Sequence, residues 1–159
     1  MGWRDSMVIG HTEPDFYNVA VKAFVRKGDR VLIMRTAVDK MGDLPGGRIG
    51  VGEFDISLEE VLRREIEEEL GSEVRYRIIG PAALFRHRRP EIMEKNLPER
   101  RILMIGFELE YESGDIKLSD EHDEYRWMSL DEAETALPGG QQDGIRKYRE
   151  YLRTGKITY

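Results

Sequence analysis

From Gly47 to Gly71 the chain reads GRIGVGEFDISLEEVLRREIEEELG, and two structural regimes meet inside it. The first half continues a glycine-rich run over Asp43 to Gly52, with Pro45, Gly46, Gly47, Gly50 and Gly52, and reads as a loop whose backbone turns tightly or approaches something closely. From Ser57 the pattern is helical: Ser57 caps, Glu60 completes a capping box, and Gly71 is the stop. On a wheel of about 100° per residue, Leu58, Val61, Leu62 and Ile66 form one apolar stripe that should face a core. Glu65 and Glu69 fall inside that stripe, and Glu68 sits at its edge. Three carboxylates thus gather at the negative end of a helix, where the dipole disfavours each by roughly 0.3–1 kcal/mol and Glu65 and Glu69 repel at i,i+4.

A solvated charged helix would account for part of this, through Glu60–Arg64, Arg63–Glu67 and Arg64–Glu68 pairs at favourable spacing. It does not account for Glu65 and Glu69 on the apolar stripe, nor for a glycine loop that delivers Glu53 just ahead of the helix. A divalent cation relieves every one of these penalties. Hard oxygen donors in this number suit magnesium, with manganese as the alternative, leaving positions open for water and phosphate.

Outward from this segment, Asn18 to Thr36 alternates as a hairpin around Lys27, Gly28 and Asp29. Glu73 to Ile79 and Arg101 to Glu112 read as strands, and Tyr125 to Met128 as a short one. Between the middle two, Arg86 to Arg101 reads as a long basic connection holding His87, Arg88, Arg89, Lys95 and Arg100. Ser129 and Glu132 repeat the capping-box pattern, and a last helix is expected over Gln142 to Leu152. Strands on both sides of a central helix, with more helix at the end, indicate an α/β sandwich with a mixed sheet.

The 159 residues suit a single domain with one core. Without cysteine, disulfides, thiolate catalysis and cysteine-bound zinc are excluded. A net charge of −6 argues against bulk nucleic-acid binding, which needs a basic face. No stretch approaches the roughly 18 apolar residues of a membrane span, and Met1 to Asp5 is too short and polar for a signal peptide, so a cytoplasmic location is expected.

Gly47 to Gly71 resembles the Nudix box, G-x5-E-x7-R-E-U-x-E-E-x-G-U, where U is a bulky apolar residue. There are two departures: Glu53 and Arg64 are separated by ten intervening residues rather than seven, and Ser72 stands in the last U position. Phe54, Asp55 and Ile56 are the extra residues, ahead of the Ser57 cap. The surroundings agree with the resemblance: a preceding Leu44-Pro45-Gly46-Gly47, an upstream hairpin, and Trp127 before a capped helix. The resemblance implies the Nudix α/β/α sandwich and attack of water on a phosphorus of a diphosphate. It implies Glu65, Glu68 and Glu69 as metal ligands with the Gly46 carbonyl beside them, Arg64 as the residue orienting a catalytic glutamate, and Glu53 as the box's first glutamate. Glu121, in the acidic stretch before Trp127, is the candidate base or additional ligand, with Glu124 as its rival.

Arg35, Arg86, Arg88 and Arg89 are candidates for substrate phosphate, set against their reading as solvated arginines. His11, His87 and His122 read as surface or loop histidines, and Trp127 as core. The substrate expected is a small nucleotide, a nucleoside triphosphate by default, with nucleotide sugars or ADP-ribose as alternatives. The rival function is a non-catalytic nucleotide sensor, which usually lacks box glutamates that are all present here. A homodimer follows only by analogy with relatives.

Overall fold

The computed structural model describes residues 13–93 and 96–159; His11 and Lys95 lie outside them. Among the described residues, seven strands and three helices follow in the order β1 (Asn18–Lys27), β2 (Arg30–Thr36), β3 (Gly42–Asp43), β4 (Gly46–Arg48), α1 (Leu58–Leu70), β5 (Arg75–Arg89), β6 (Arg100–Ser113), β7 (His122–Met128), α2 (Leu130–Ala136) and α3 (Gly140–Thr154). All strands join one mixed sheet with the central order β3-β2-β1-β6-β5, in which β4 also pairs with β1 and β7 with β2. The β1–β6 ladder is parallel and the others antiparallel.

Period-two alternation in β1 explains the layers. Val21, Ala23 and Val25 face α1, packing with Val61, Leu62, Ile66 and Leu70. Ala20 and Phe24 face the other side, where Phe24 stacks on Tyr148 of α3 and joins Ala133 and Leu137 around α2. The result is the expected α/β/α sandwich. Both capping boxes form, Ser57 with Glu60 and Ser129 with Glu132, and α1 ends at Gly71.

Three expectations need correction. The glycine run is not all loop: β3 and β4 lie within and beside it, because the small residues let the backbone come close enough to pair with β1 and β2. The basic connection is much shorter than expected, since Arg86 to Arg89 extend β5 and Arg100 begins β6. Pro81 interrupts the apolar pattern of β5, but as the sheet's edge strand β5 tolerates both a proline and exposed charges. The last helix is also longer than expected at both ends.

Candidate active site

Gly46 and Gly47 of β4 meet the closing turns of α1. The Gly46 N–H donates to Glu69 Oε2 at 2.7 Å. Gly46 has φ of +116°, and a Cβ there would stand 2.2 Å from the Val21 carbonyl oxygen. A Cβ on Gly47 would stand 2.5 Å from both oxygens of Glu65. Glycine at these positions is therefore what allows strand backbone and two carboxylates to share one space. Burial raises the Glu65 carboxyl above its ordinary range, although the adjacent Arg64 partly offsets it. Glu69 is buried and pushed up to about 7, chiefly by desolvation, against the opposing pull of Lys22 and the Gly46 N–H.

Arg64 ties the box together. Its Nε and Nη2 donate to the two oxygens of Glu53 at 2.5 and 3.0 Å. Nη2 also lies 3.0 Å from Glu65 Oε1, and Nη1 lies 3.1 Å from Glu68 Oε2. The Gly50 N–H donates to Glu53 Oε2 at 2.6 Å. Arg64, followed by this N–H, lowers the Glu53 carboxyl below its ordinary range. Glu53 is thus linked to Glu65 and Glu68 through one guanidinium despite the three extra residues. Glu68 keeps 59% of its side chain exposed while lining the cleft, so it is open to a ligand.

A second, buried set adjoins these groups. Lys22 Nζ donates to Asp43 Oδ1 at 3.0 Å and to the carbonyls of Leu44 and Gly46 at 2.8 and 2.9 Å. Gln141 Nε2 donates to Asp43 Oδ1 at 2.9 Å, and Gln141 Oε1 accepts from the Leu44 N–H. His122 Nε2 lies 3.2 Å from Asp43 Oδ2. Burial opposes the Asp43 charge, but Lys22, His122 and Gln141 together hold its carboxyl well below the usual range. For His122, burial would lower the pKa, yet the hydrogen bond to Asp43 and the Glu69 charge raise it. Asp43, Glu69 and His122 each offer one donor atom, all within 4.8 Å of one another.

Lys22, Asp43, Gln141, Glu65, Glu68 and Glu69 line a cleft of about 910 Å³. Lys22, Asp43 and Gln141 were not anticipated, and His122, read as a surface histidine, is buried. Only Lys22 left a signal, as the polar member of the otherwise apolar Ala20, Lys22, Phe24 alternation. His87 is half-buried on the cleft and its Nδ1 accepts from the Gly140 N–H at 3.2 Å. Glu121 is exposed at the cleft. Glu124 is engaged by Arg35 and Arg126. Trp127 is partly buried and packs edge-on against Tyr111.

Of the candidate phosphate-binding arginines, Arg89 lines the cleft and Arg35, Arg86 and Arg88 do not. Arg35 lies off the cleft, on Asp123 and Glu124 at 2.7 and 2.8 Å. Arg86 and Arg88 fall on the opposite face of β5, because alternation in a strand gives the cleft His87 and Arg89 instead. The cleft arginines are Arg48, Arg89 and Arg100.

Comparison with known proteins agrees with this architecture. The family model described as NUDIX domain matches residues 16–151, and the chain belongs to the Nudix hydrolase family. It is 35% identical over 118 residues to the NAD-capped RNA hydrolase NudC of Pseudomonas aeruginosa, covering 72% of this chain. The chain spans 35% of the length of that curated relative. Among solved structures, a MutT protein from Methanosarcina mazei Go1 superposes with a TM-score of 0.71 at 26% identity, over 90% of this chain and 100% of the other. An ADP-ribose pyrophosphatase from Streptococcus suis shares the fold with a TM-score of 0.63 at 19% identity, over 90% of this chain and 98% of that one.

Proposed function

We propose that this chain, as a single cytoplasmic domain, hydrolyses the pyrophosphate linkage of a nucleotide joined to a second group, with magnesium or manganese as its metal. The observation that carries the reading is the placement of Glu65 and Glu69. Two desolvated carboxylates face a cleft at the unfavourable end of their helix, with strand backbone packed against them.

The donor set fits a hard divalent ion: Glu65, Glu68 and Glu69 would hold it, with the second lone pair of the Gly46 carbonyl available beside them. Such an ion, when bound, neutralises phosphate charge and lowers the pKa of its water. The chain's own residues supply the rest. Arg64 orients Glu53, Glu65 and Glu68 from one fork. Lys22 fixes the Leu44 and Gly46 carbonyls and hence the strand against which Glu69 rests. Glu121, exposed at the cleft, is the candidate to take a proton from the attacking water.

A nucleotide joined to a second group is favoured over a simple triphosphate by the cleft, which is at the upper end of the roughly 300–1,000 Å³ of small-ligand sites. The relatives named as acting on NAD-capped RNA and ADP-ribose point the same way. The test is turnover across nucleoside triphosphates, nucleotide sugars, ADP-ribose and dinucleoside polyphosphates, with magnesium or EDTA, beside Glu68→Gln. Metal-dependent turnover abolished in Glu68→Gln is expected. A folded protein that binds nucleotides but hydrolyses none of them would replace the enzyme with a sensor.

A further inference from the structure

Arg89 of β5 stands directly opposite Arg100 of β6 in the antiparallel ladder, and Arg88 stands opposite Arg101. Opposed residues share a face of the sheet, so each pair sets like charges side by side, which is destabilising unless something of opposite sign intervenes. On the outer face something does. Glu99 Oε1 lies 3.1 Å from Arg101 Nε and 3.8 Å from Arg88 Nε, and Asp15 bonds Arg101 as well. On the cleft face, Arg89 and Arg100 have no carboxylate partner among the described residues. Arg48, on the same cleft, donates to Asn18 Oδ1 at 3.3 Å. Most arginines off the cleft, such as Arg35, Arg77, Arg126 and Arg149, sit on carboxylates. Among the described residues, an opposed guanidinium pair is thus left uncompensated where a ligand has access.

The pair is also far from the carboxylates of α1. Lys22 pairs with Gly46 on one side and Gly106 on the other, and Arg100 precedes Gly106 by six residues on β6. At about 3.3 Å per residue, roughly 20 Å of strand separates the two levels, less the reach of the side chains. A diphosphate held by Glu65, Glu68 and Glu69 would not be the anion that Arg89 and Arg100 hold.

We propose that Arg89 and Arg100 form a fork for a second phosphate group of the substrate, remote from the pyrophosphate: a phosphomonoester on the nucleotide, or the first phosphodiester of a chain. Guanidinium pairs suit either, since each can present two parallel donors to phosphate oxygens. The proposal rests on the hydrolase reading only for the identity of the other phosphates.

The test is calorimetric binding in EDTA, without turnover, of AMP, adenosine 3′,5′-bisphosphate and the 5′-phosphorylated dinucleotide pApA. The wild-type chain is expected to bind at least one two-phosphate probe tenfold or more tighter than AMP. A gain confined to the bisphosphate identifies a phosphomonoester, and one confined to pApA a phosphodiester. Arg89→Gln with Arg100→Gln should abolish the preference, whereas Arg88→Gln, which removes a guanidinium from the outer face, should leave it intact. Should the double glutamine variant fail to fold, Arg89→Lys with Arg100→Lys keeps the charge and should retain only part of the preference. Equal affinity for all three probes, an undiminished preference in the lysine pair, or equal loss in Arg88→Gln would overturn the proposal. Absence of hydrolysis on every substrate, with the preference intact, would remove the proposed function and leave this site standing.

Discussion

Replacing Lys22 by methionine keeps the length of the side chain and removes the charge from a well-enclosed ion pair of the site. Side-chain exposure is only 7% for Lys22 and 13% for Asp43, so solvent replaces little of what is lost. Removing one partner of a buried pair costs roughly 3–5 kcal/mol, because the other charge is left uncompensated. His122 and Gln141 still contact Asp43, and the carbonyls of Leu44 and Gly46 each lose one donor. Those opposing considerations place the expected cost near the lower limit, about 3 kcal/mol. With a urea slope of about 2 kcal/mol/M, the unfolding midpoint at pH 7 should fall by roughly 1.5 M. The pH dependence has a definite sign. Asp43 has a folded pKa depressed below its unfolded value of 3.8, so the stabilisation is present above that value and is lost as pH falls through the folded one. The gap between wild type and Lys22→Met should therefore hold from neutral pH to about pH 5 and shrink below about pH 4. Adding Asp43→Asn should recover much of the loss, giving a coupling energy of more than about 1 kcal/mol in the double-mutant cycle. A midpoint shift below about 0.3 M, or strict additivity in the cycle, would refute the view that Lys22 anchors this part of the sheet.

Glu69→Gln tests the buried carboxyl, whose folded pKa of about 7 exceeds the ordinary 4.5: its contribution is full below about pH 4.5 and lost as pH rises through 7. In EDTA the wild type should lose on the order of 3 kcal/mol of stability between pH 4.5 and 8 relative to Glu69→Gln, by urea unfolding at each pH, and saturating magnesium should restore the wild type alone. Gly47→Ala would place a methyl group 2.5 Å from the Glu65 carboxylate, so metal affinity measured by calorimetry should fall at least tenfold while the helical circular dichroism is retained. Arg64→Lys keeps the charge but not the fork over Glu53, Glu65 and Glu68; kcat should drop more than tenfold with KM little changed, and a raised KM with kcat unchanged would assign Arg64 to substrate binding instead.

What the sequence made legible was local. The Ser57 cap, the Gly71 stop and the apolar stripe of α1 lie within a few residues of one another, and the two misplaced glutamates could be recognised against that stripe. A mixed α/β sandwich followed from the order of strands and helices, and the α/β/α layering from the resemblance to the Nudix box. The polar cluster was not legible, because Lys22, Asp43, His122 and Gln141 come from β1, β3, β7 and α3 and meet only through the strand pairing. The arginines were misassigned for a different reason. Once Arg86 to Arg89 were read as a connection, nothing distinguished their faces; as strand, the period of two selects Arg89 and rejects Arg86 and Arg88.

The three extra residues of the box show which part of a motif's spacing is physically constrained. Phe54, Asp55 and Ile56 are exposed in the loop ahead of the Ser57 cap, where extra chain crosses no core. Lengthening the Glu53-to-Arg64 connection from seven intervening residues to ten adds only about 0.3 kcal/mol of loop-closure entropy. Loop length therefore has little leverage over whether Glu53 reaches Arg64. That contact is decided at its two ends, by the Gly50 N–H that receives the Glu53 carboxylate and by the helix that presents the guanidinium. The helix interior has no such freedom: one residue inserted between Arg64 and Glu69 would rotate the carboxylates by about 100° and carry Glu69 off Gly46. The uneven tolerance of the two halves follows from loop entropy on one side and helical phase on the other.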